Sequence, residues 1–151
     1  MKTSCLDYDQ EQLDALISDI DTYHRKVIKD QGFNINLPNT RAKVESVVYS
    51  CFTSYYGGNI NDQHGYIDIF DQVSDFAYHL AAAHAYSDAN KRTTVLTMLL
   101  LLKRAKIYIN FLDSDDTTEN KLYQWIQELV QRKRTYKQLA QELREHSQSL
   151  A

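Results

Sequence analysis

Residues 76–102 read FAYHLAAAHAYSDANKRTTVLTMLLLL. Two apolar segments flank a polar run, HAYSDANKR at 84–92, and the periodicity on each side is helical. Upstream, Val73, Phe76, Ala77 and Leu80 recur at three- and four-residue steps. That phase runs on to position 84, so it predicts a helix from about Asp71 with His84 at its inner end. Downstream, a helix from Asn90 or Lys91 is apolar nearly all round, the pattern of a central bundle helix.

The rest of the chain repeats this helical theme. Leu13, Leu16, Ile17, Ile20 and Val27 form one stripe, with Asp9 and Gln12 in capping-box spacing before it and Gly32 after it. Residues 31–40 read as a loop. Val44, Val47, Val48, Cys51, Phe52 and Tyr55 form a second stripe from about Arg41 that ends at Gly57–Gly58. The stretch 57–70 combines turn residues with a short alternation over Tyr66, Ile67, Asp68 and Ile69, which predicts a loop with a brief extended or hairpin segment. Residues 107–111 read as an extended exit. An acidic turn with Asp116 and Glu119 in capping-box spacing precedes a helix carrying Leu122, Trp125, Ile126 and Leu129, and Thr135 with Gln138 caps a last one around Leu139 and Leu143. These C-terminal helices fall within 117–148.

Composition narrows the class. With 151 residues, 43% of them hydrophobic, the chain suits one domain over 1–151 that buries roughly 70% of its unfolded surface. Four glycines and one proline favour long helices, so the expected fold class is all-α. A net charge of -3 gives no overall attraction to a nucleic-acid backbone, and no direct nucleic-acid partner is expected. Cys5 and Cys51 are isolated, which fits a reducing cytoplasm rather than a disulfide framework or a zinc site. The N-terminal residues lack the apolar core of a secretory signal. Val95–Leu102, the greasiest run, is far shorter than the about 20 residues a membrane span requires. Asp113 and Asp115 have the spacing of the first calcium-loop ligands, but the turn glycine and the twelfth-position Glu are missing, so a solvated helix cap is expected there.

Chemistry concentrates in HAYSDANKR. Cations are disfavoured at a helix N-terminus, where the macrodipole is already positive, so Lys91 and Arg92 at such a position suggest that an anion binds there. Backbone N–H groups and two cations make a phosphate cradle. Asp88 would repel a phosphate unless a divalent cation lay between them, and Mg²⁺ held by one carboxylate and phosphate oxygens meets that need. His84, on the preceding helix end, can take a proton from an incoming hydroxyl.

The same nine residues resemble the Fic/Doc motif, His-x-aromatic-x-acid-Gly/Ala-Asn-Gly/Lys-Arg, at all seven constrained positions, and in its Doc (death on curing) form. The resemblance covers roughly 41–111. It implies a Fic-like helical bundle with a β-hairpin flap before the motif helix. It further implies His84 as general base, Asp88 as Mg²⁺ ligand, Asn90, Lys91 and Arg92 as binders of the ATP phosphates, and Tyr86 as a packing residue. Tyr66, Ile67, Asp68 and Ile69 would then be the flap that docks a target peptide by strand addition.

Two departures from the AMP-transferring Fic pattern follow the Doc type: Lys91 stands where glycine is usual, and Val95 where a second arginine is usual. In that type, lysine accompanies a reversed nucleotide and transfer of the γ-phosphate. Two further departures are Ala82, where many relatives carry a basic residue, and the lack of a clean Ser/Thr-x-x-x-Glu-Gly/Asn inhibitory segment, since Ser114 lies one residue too far from Glu119. The resemblance therefore implies a toxin that phosphorylates a Ser or Thr of a protein, with elongation factor Tu the family's known target, and that a separate antitoxin chain neutralises. AMP transfer to a protein hydroxyl is the alternative. A non-catalytic binding module, suggested by the basic residues Arg132–Arg134 and the segment TYKQLAQEL (135–143), is the third reading, and the acidic balance disfavours it.

Overall fold

The computed structural model describes residues 4–29, 37–54, 58–110 and 120–149. Among these, the chain forms α1 (Gln10–Lys29), α2 (Thr40–Phe52), α3 (Ile60–His64), α4 (Ile69–Ala82), α5 (Asn90–Arg104), β1 (Ile107–Ile109), α6 (Lys121–Val130), α7 (Tyr136–Glu145) and β2 (Ser147–Ser149). The fold is all-α apart from the antiparallel β1–β2 pair, in which Ile107 faces Ser149 and Ile109 faces Ser147. No described helix is long and apolar enough to cross a membrane.

Local signals are realised where expected. Asp9 and Gln12 exchange both capping-box bonds at the start of α1, Gln12 N–H to Asp9 Oδ1 at 2.8 Å and Asp9 N–H to Gln12 Oε1 at 3.0 Å. Thr135 and Gln138 do the same for α7. At α6 the cap is Asn120, whose side chain accepts from Tyr123 N–H. The expected Asp116–Glu119 cap, Gly32 and Tyr55 lie outside the described residues.

One continuous core joins α1, α2, α4, α5, α6 and α7. Its hub is α4, which packs against α2, α5, α6 and α7. Helix α5 is central too, packed against α1, α4, α6 and β1, but it is not apolar all round as expected. On α5 the buried positions are Thr93, Thr94, Thr97, Met98, Leu101 and Leu102, while Val95, Leu96, Leu99 and Leu100 are only half-buried. The threonines can go inside because two of them satisfy their hydroxyls locally: Thr94 donates to Asn90 O and Thr97 to Thr93 O, both at 2.8 Å.

The segment before α4 is not extended. Residues 60–64 form α3, closed by Gly65 at φ 71°, and α4 begins at Ile69 rather than Asp71, with Asp68 as N-cap. Asp68 Oδ1 accepts from Phe70 N–H and Asp71 N–H. Its carboxylate also takes a two-pronged contact from Arg144 of α7, Nε to Oδ2 at 2.8 Å and Nη2 to Oδ1 at 2.9 Å. Tyr66 is buried and donates to Asp75 Oδ2 at 2.6 Å, and Ile69 is buried in the core. Only Ile67 points outward, at 73% exposure. The expected hairpin over Tyr66–Ile69 is thus a helix-capping turn, in which Ile67 N–H, Ile67 O and the Asp68 carboxylate already have partners.

Asp71 is fully buried at the α4–α7 contact. Burial by itself would raise its pKa. Hydrogen bonds from Lys137 Nζ (2.6 Å), Ile67 N–H (2.9 Å) and Arg144 Nη2 (2.8 Å) outweigh that and hold the carboxyl below its usual range.

Candidate active site

Between α4 and α5 the chain makes a tight loop, residues 83–89, that departs twice into the left-handed region, at His84 (φ 48°) and Ala89 (φ 64°). The turn at Ala83–His84 ends α4 and swings the imidazole off the helix axis. His84 is therefore exposed and not on the inner face that periodicity assigned to it. The heptad-like phase holds only while the backbone stays helical, and it stops at Ala82.

At the far side of the loop, α5 starts at Asn90 with Ala89 as its N-cap and no side-chain cap. The first intrahelical bond is Thr93 N–H to Ala89 O, so the N–H groups of Asn90, Lys91 and Arg92 leave the helix end without intrahelical acceptors. Lys91 and Arg92 are half-buried, and among the described residues neither they nor Asp88 enters an ion pair.

His84, Asp88, Asn90, Lys91 and Arg92 line one cleft of about 160 Å³, together with Tyr123 of α6. Ligand pockets commonly span about 300–1,000 Å³, so this space suits the phosphate end of a nucleotide rather than the whole of it. Four of the five residues are available for a ligand. Asn90 is not: its Oδ1 accepts from Tyr86 N–H at 3.0 Å and its Nδ2 donates to Tyr86 O at 2.8 Å. Its side chain clamps the loop, and only its backbone N–H remains to meet a phosphate.

Three more contacts hold the loop, and the sequence reading missed two of their residues. Thr40 of α2 donates to Ala85 O at 2.6 Å. His24 of α1, 1% exposed, stacks on Tyr86 with ring centroids 3.6 Å apart and planes at 11°, and its Nε2 lies 3.0 Å from Asp88 O. A carbonyl can only accept, so this contact fixes the Nε2–H tautomer. Burial pulls the His24 pKa below its ordinary value, only partly offset by the bond to the Asp88 carbonyl, which keeps the ring neutral. Tyr86 is buried beneath His24, as the packing role implied. His24 and Tyr123 stand 60 and 39 residues from His84, too far for any local spacing signal.

The two cysteines take no part. Burial pushes the Cys5 thiol up to about 11 and the Cys51 thiol up to about 12, so both stay protonated and poorly nucleophilic at neutral pH. No group of three or more metal-ligating side chains occurs among the described residues. A divalent cation at Asp88 would therefore take its other ligands from phosphate oxygens and water, the usual habit of Mg²⁺. An exposed carboxylate that enters no ion pair among the described residues, beside an uncapped helix start and two cations that likewise enter none, fits that arrangement.

A histidine, a carboxylate and an uncapped helix start, brought to one cleft by a nine-residue segment, form the arrangement that the Fic motif implies. A model of the Fic/DOC family matches residues 12–102, more than half of the chain, and the chain belongs to that family. A search of curated proteins returned no match. Members of the family are typically transferases that act on protein hydroxyls and use ATP, generally with Mg²⁺.

Proposed function

We propose that the protein is a Doc-like toxin kinase that transfers the γ-phosphate of ATP to a Ser or Thr hydroxyl of a protein, with elongation factor Tu as the target. The observation that carries this reading is Lys91. It occupies the first turn of uncapped α5, in the same cleft as His84 and Asp88 and beside Arg92. There its ammonium adds a point charge to the N–H groups of the helix end and fills space that glycine would leave open. Val95, at the position of the second arginine of AMP transferases, packs against the core and does not line the cleft.

The proposed roles of the residues fit their places. Exposed His84 can be reached by a hydroxyl on the surface of another protein, which a buried base could not. Its imidazole takes the hydroxyl proton as the oxygen bonds to the γ-phosphorus and the bond from that phosphorus to the β–γ bridging oxygen breaks, releasing ADP. Lys91, Arg92 and the N–H groups of α5 hold the phosphates and balance the charge that develops on the leaving oxygen. Asp88 would hold Mg²⁺, which when bound neutralises phosphate charge.

Growth arrest in a bacterial cytoplasm, and relief by a separate antitoxin, complete the proposal. No Ser/Thr-x-x-x-Glu-Gly/Asn segment occurs within this sequence, which supports inhibition from another chain. The deciding experiment incubates the protein and the target with ATP labelled at either the α or the γ phosphate. Label from the γ position alone on the target is the expected result. Label from the α position would replace the kinase reading with AMP transfer.

A further inference from the structure

One peptide group joins α1 to the cleft. The carbonyl of Asp88 points to His24 Nε2 at 3.0 Å, and the N–H of Ala89, on the other side of the same peptide, donates to Asp88 Oδ1 at 2.7 Å. A trans peptide is planar, with its C=O and N–H on opposite sides. Fixing the carbonyl on α1 therefore fixes the direction in which the Ala89 N–H meets the carboxylate.

We infer that His24 is a positioning residue: through the Asp88–Ala89 peptide, its Nε2–H sets the orientation of the Asp88 carboxylate in the cleft. This rests on the transferase reading for the role of Asp88, but the geometry stands apart from it. The rest of the loop has other anchors. Tyr86 is held at its backbone by Asn90 and Ala85 at its carbonyl by Thr40, whereas the Asp88 carbonyl receives its hydrogen bond from His24. The stack on Tyr86 holds the His24 ring in the plane from which Nε2 reaches that carbonyl.

Two variants separate the donor from the ring. His24→Phe keeps an aromatic on Tyr86 and removes the N–H; His24→Gln keeps an N–H at similar reach and removes the ring. Two measurements on the full chain read the effect. One is hydrogen exchange at the Ala89 amide without ligand. The other is the Mg²⁺ concentration that gives half of the ATP-induced rise in melting temperature.

In His24→Phe the Ala89 amide is expected to exchange faster, and the Mg²⁺ requirement to rise about 10- to 100-fold, the usual cost of losing a group that orients a metal ligand. His24→Gln should recover most of both. Unchanged values in His24→Phe, or a Gln variant no better than Phe, would overturn the inference and leave His24 as packing alone. Should His24→Phe not fold, His24→Gln decides by itself: near-wild-type values uphold the role, and faster exchange with a raised requirement overturns it. A wild-type chain with no Mg²⁺-dependent response to ATP would count against the transferase reading, while the ligand-free exchange comparison still decides the role of His24.

Discussion

Asn90 grips Tyr86 from both ends of its amide, accepting from Tyr86 N–H at 3.0 Å and donating to Tyr86 O at 2.8 Å. The clamp closes the loop over four residues and sets where α5 begins. Asn90→Asp keeps the acceptor but turns a carboxylate oxygen toward the Tyr86 carbonyl. It should lower the stability of the ligand-free protein by about 1–3 kcal/mol, the cost of a broken polar pair in a part-buried site. Urea unfolding checks this; an unchanged midpoint would mean that the amide serves a ligand and not the loop.

His84 sits at φ 48°, where glycine is at ease and a histidine is strained. His84→Gly should therefore fold at least as stably as the wild type while losing about 10² to 10⁴ in transfer rate, the contribution of a general base. His84→Ala should be equally inactive. Thermal melts and initial rates on the same preparations give the comparison, and full activity in either variant would remove His84 from the chemistry.

Ala89, at φ 64°, carries the same kind of strain at the N-cap of α5. Ala89→Gly should stabilise the chain by about 0.5–1 kcal/mol, because relief of the left-handed penalty exceeds the added entropy of the unfolded state. Transfer should persist, since the N–H groups of the helix end are untouched. A lower melting temperature would contradict the assignment of strain.

Lys91 divides phosphate transfer from AMP transfer. Lys91→Gly removes the point charge and opens volume at the helix start, so γ-phosphate transfer should fall sharply. With Val95 at the position of the second arginine, any AMP transfer gained should be weak. Mass spectrometry of the target reads both outcomes, and a wild-type adduct of AMP mass would sink the kinase reading.

Acid stability tests the α4–α7 contact. The Asp71 carboxyl is held below its ordinary value of 3.8 in the fold, so its contribution is present above that pH and is lost as pH falls through the folded pKa. Arg144→Ala removes one partner, moves the folded pKa back toward 3.8 and should start acid unfolding at a higher pH than in the wild type. At neutral pH the loss should reach up to about 3 kcal/mol, less than for a fully stripped buried charge because Lys137 remains. An acid transition identical to the wild type would show that Lys137 alone suffices.

The sequence by itself determined the helical class, the buried stripes of α1, α2 and α4, the capping boxes at Asp9–Gln12 and Thr135–Gln138, and the nine-residue segment that lines the cleft. Each of these depends on residues within a few positions of one another, where backbone geometry alone relates side chains. Tertiary structure decided the rest. It set α4 beside α5 at the centre and turned some leucines of α5 partly outward, turned His84 into solvent through a left-handed residue that periodicity does not register, and made Tyr66–Ile69, an expected hairpin, a cap tied to Arg144. It also brought His24 to Asp88, and Tyr123 to the cleft, across 64 and 35 residues of chain. Such pairings are set by how whole helices pack, and no spacing within a single segment encodes them.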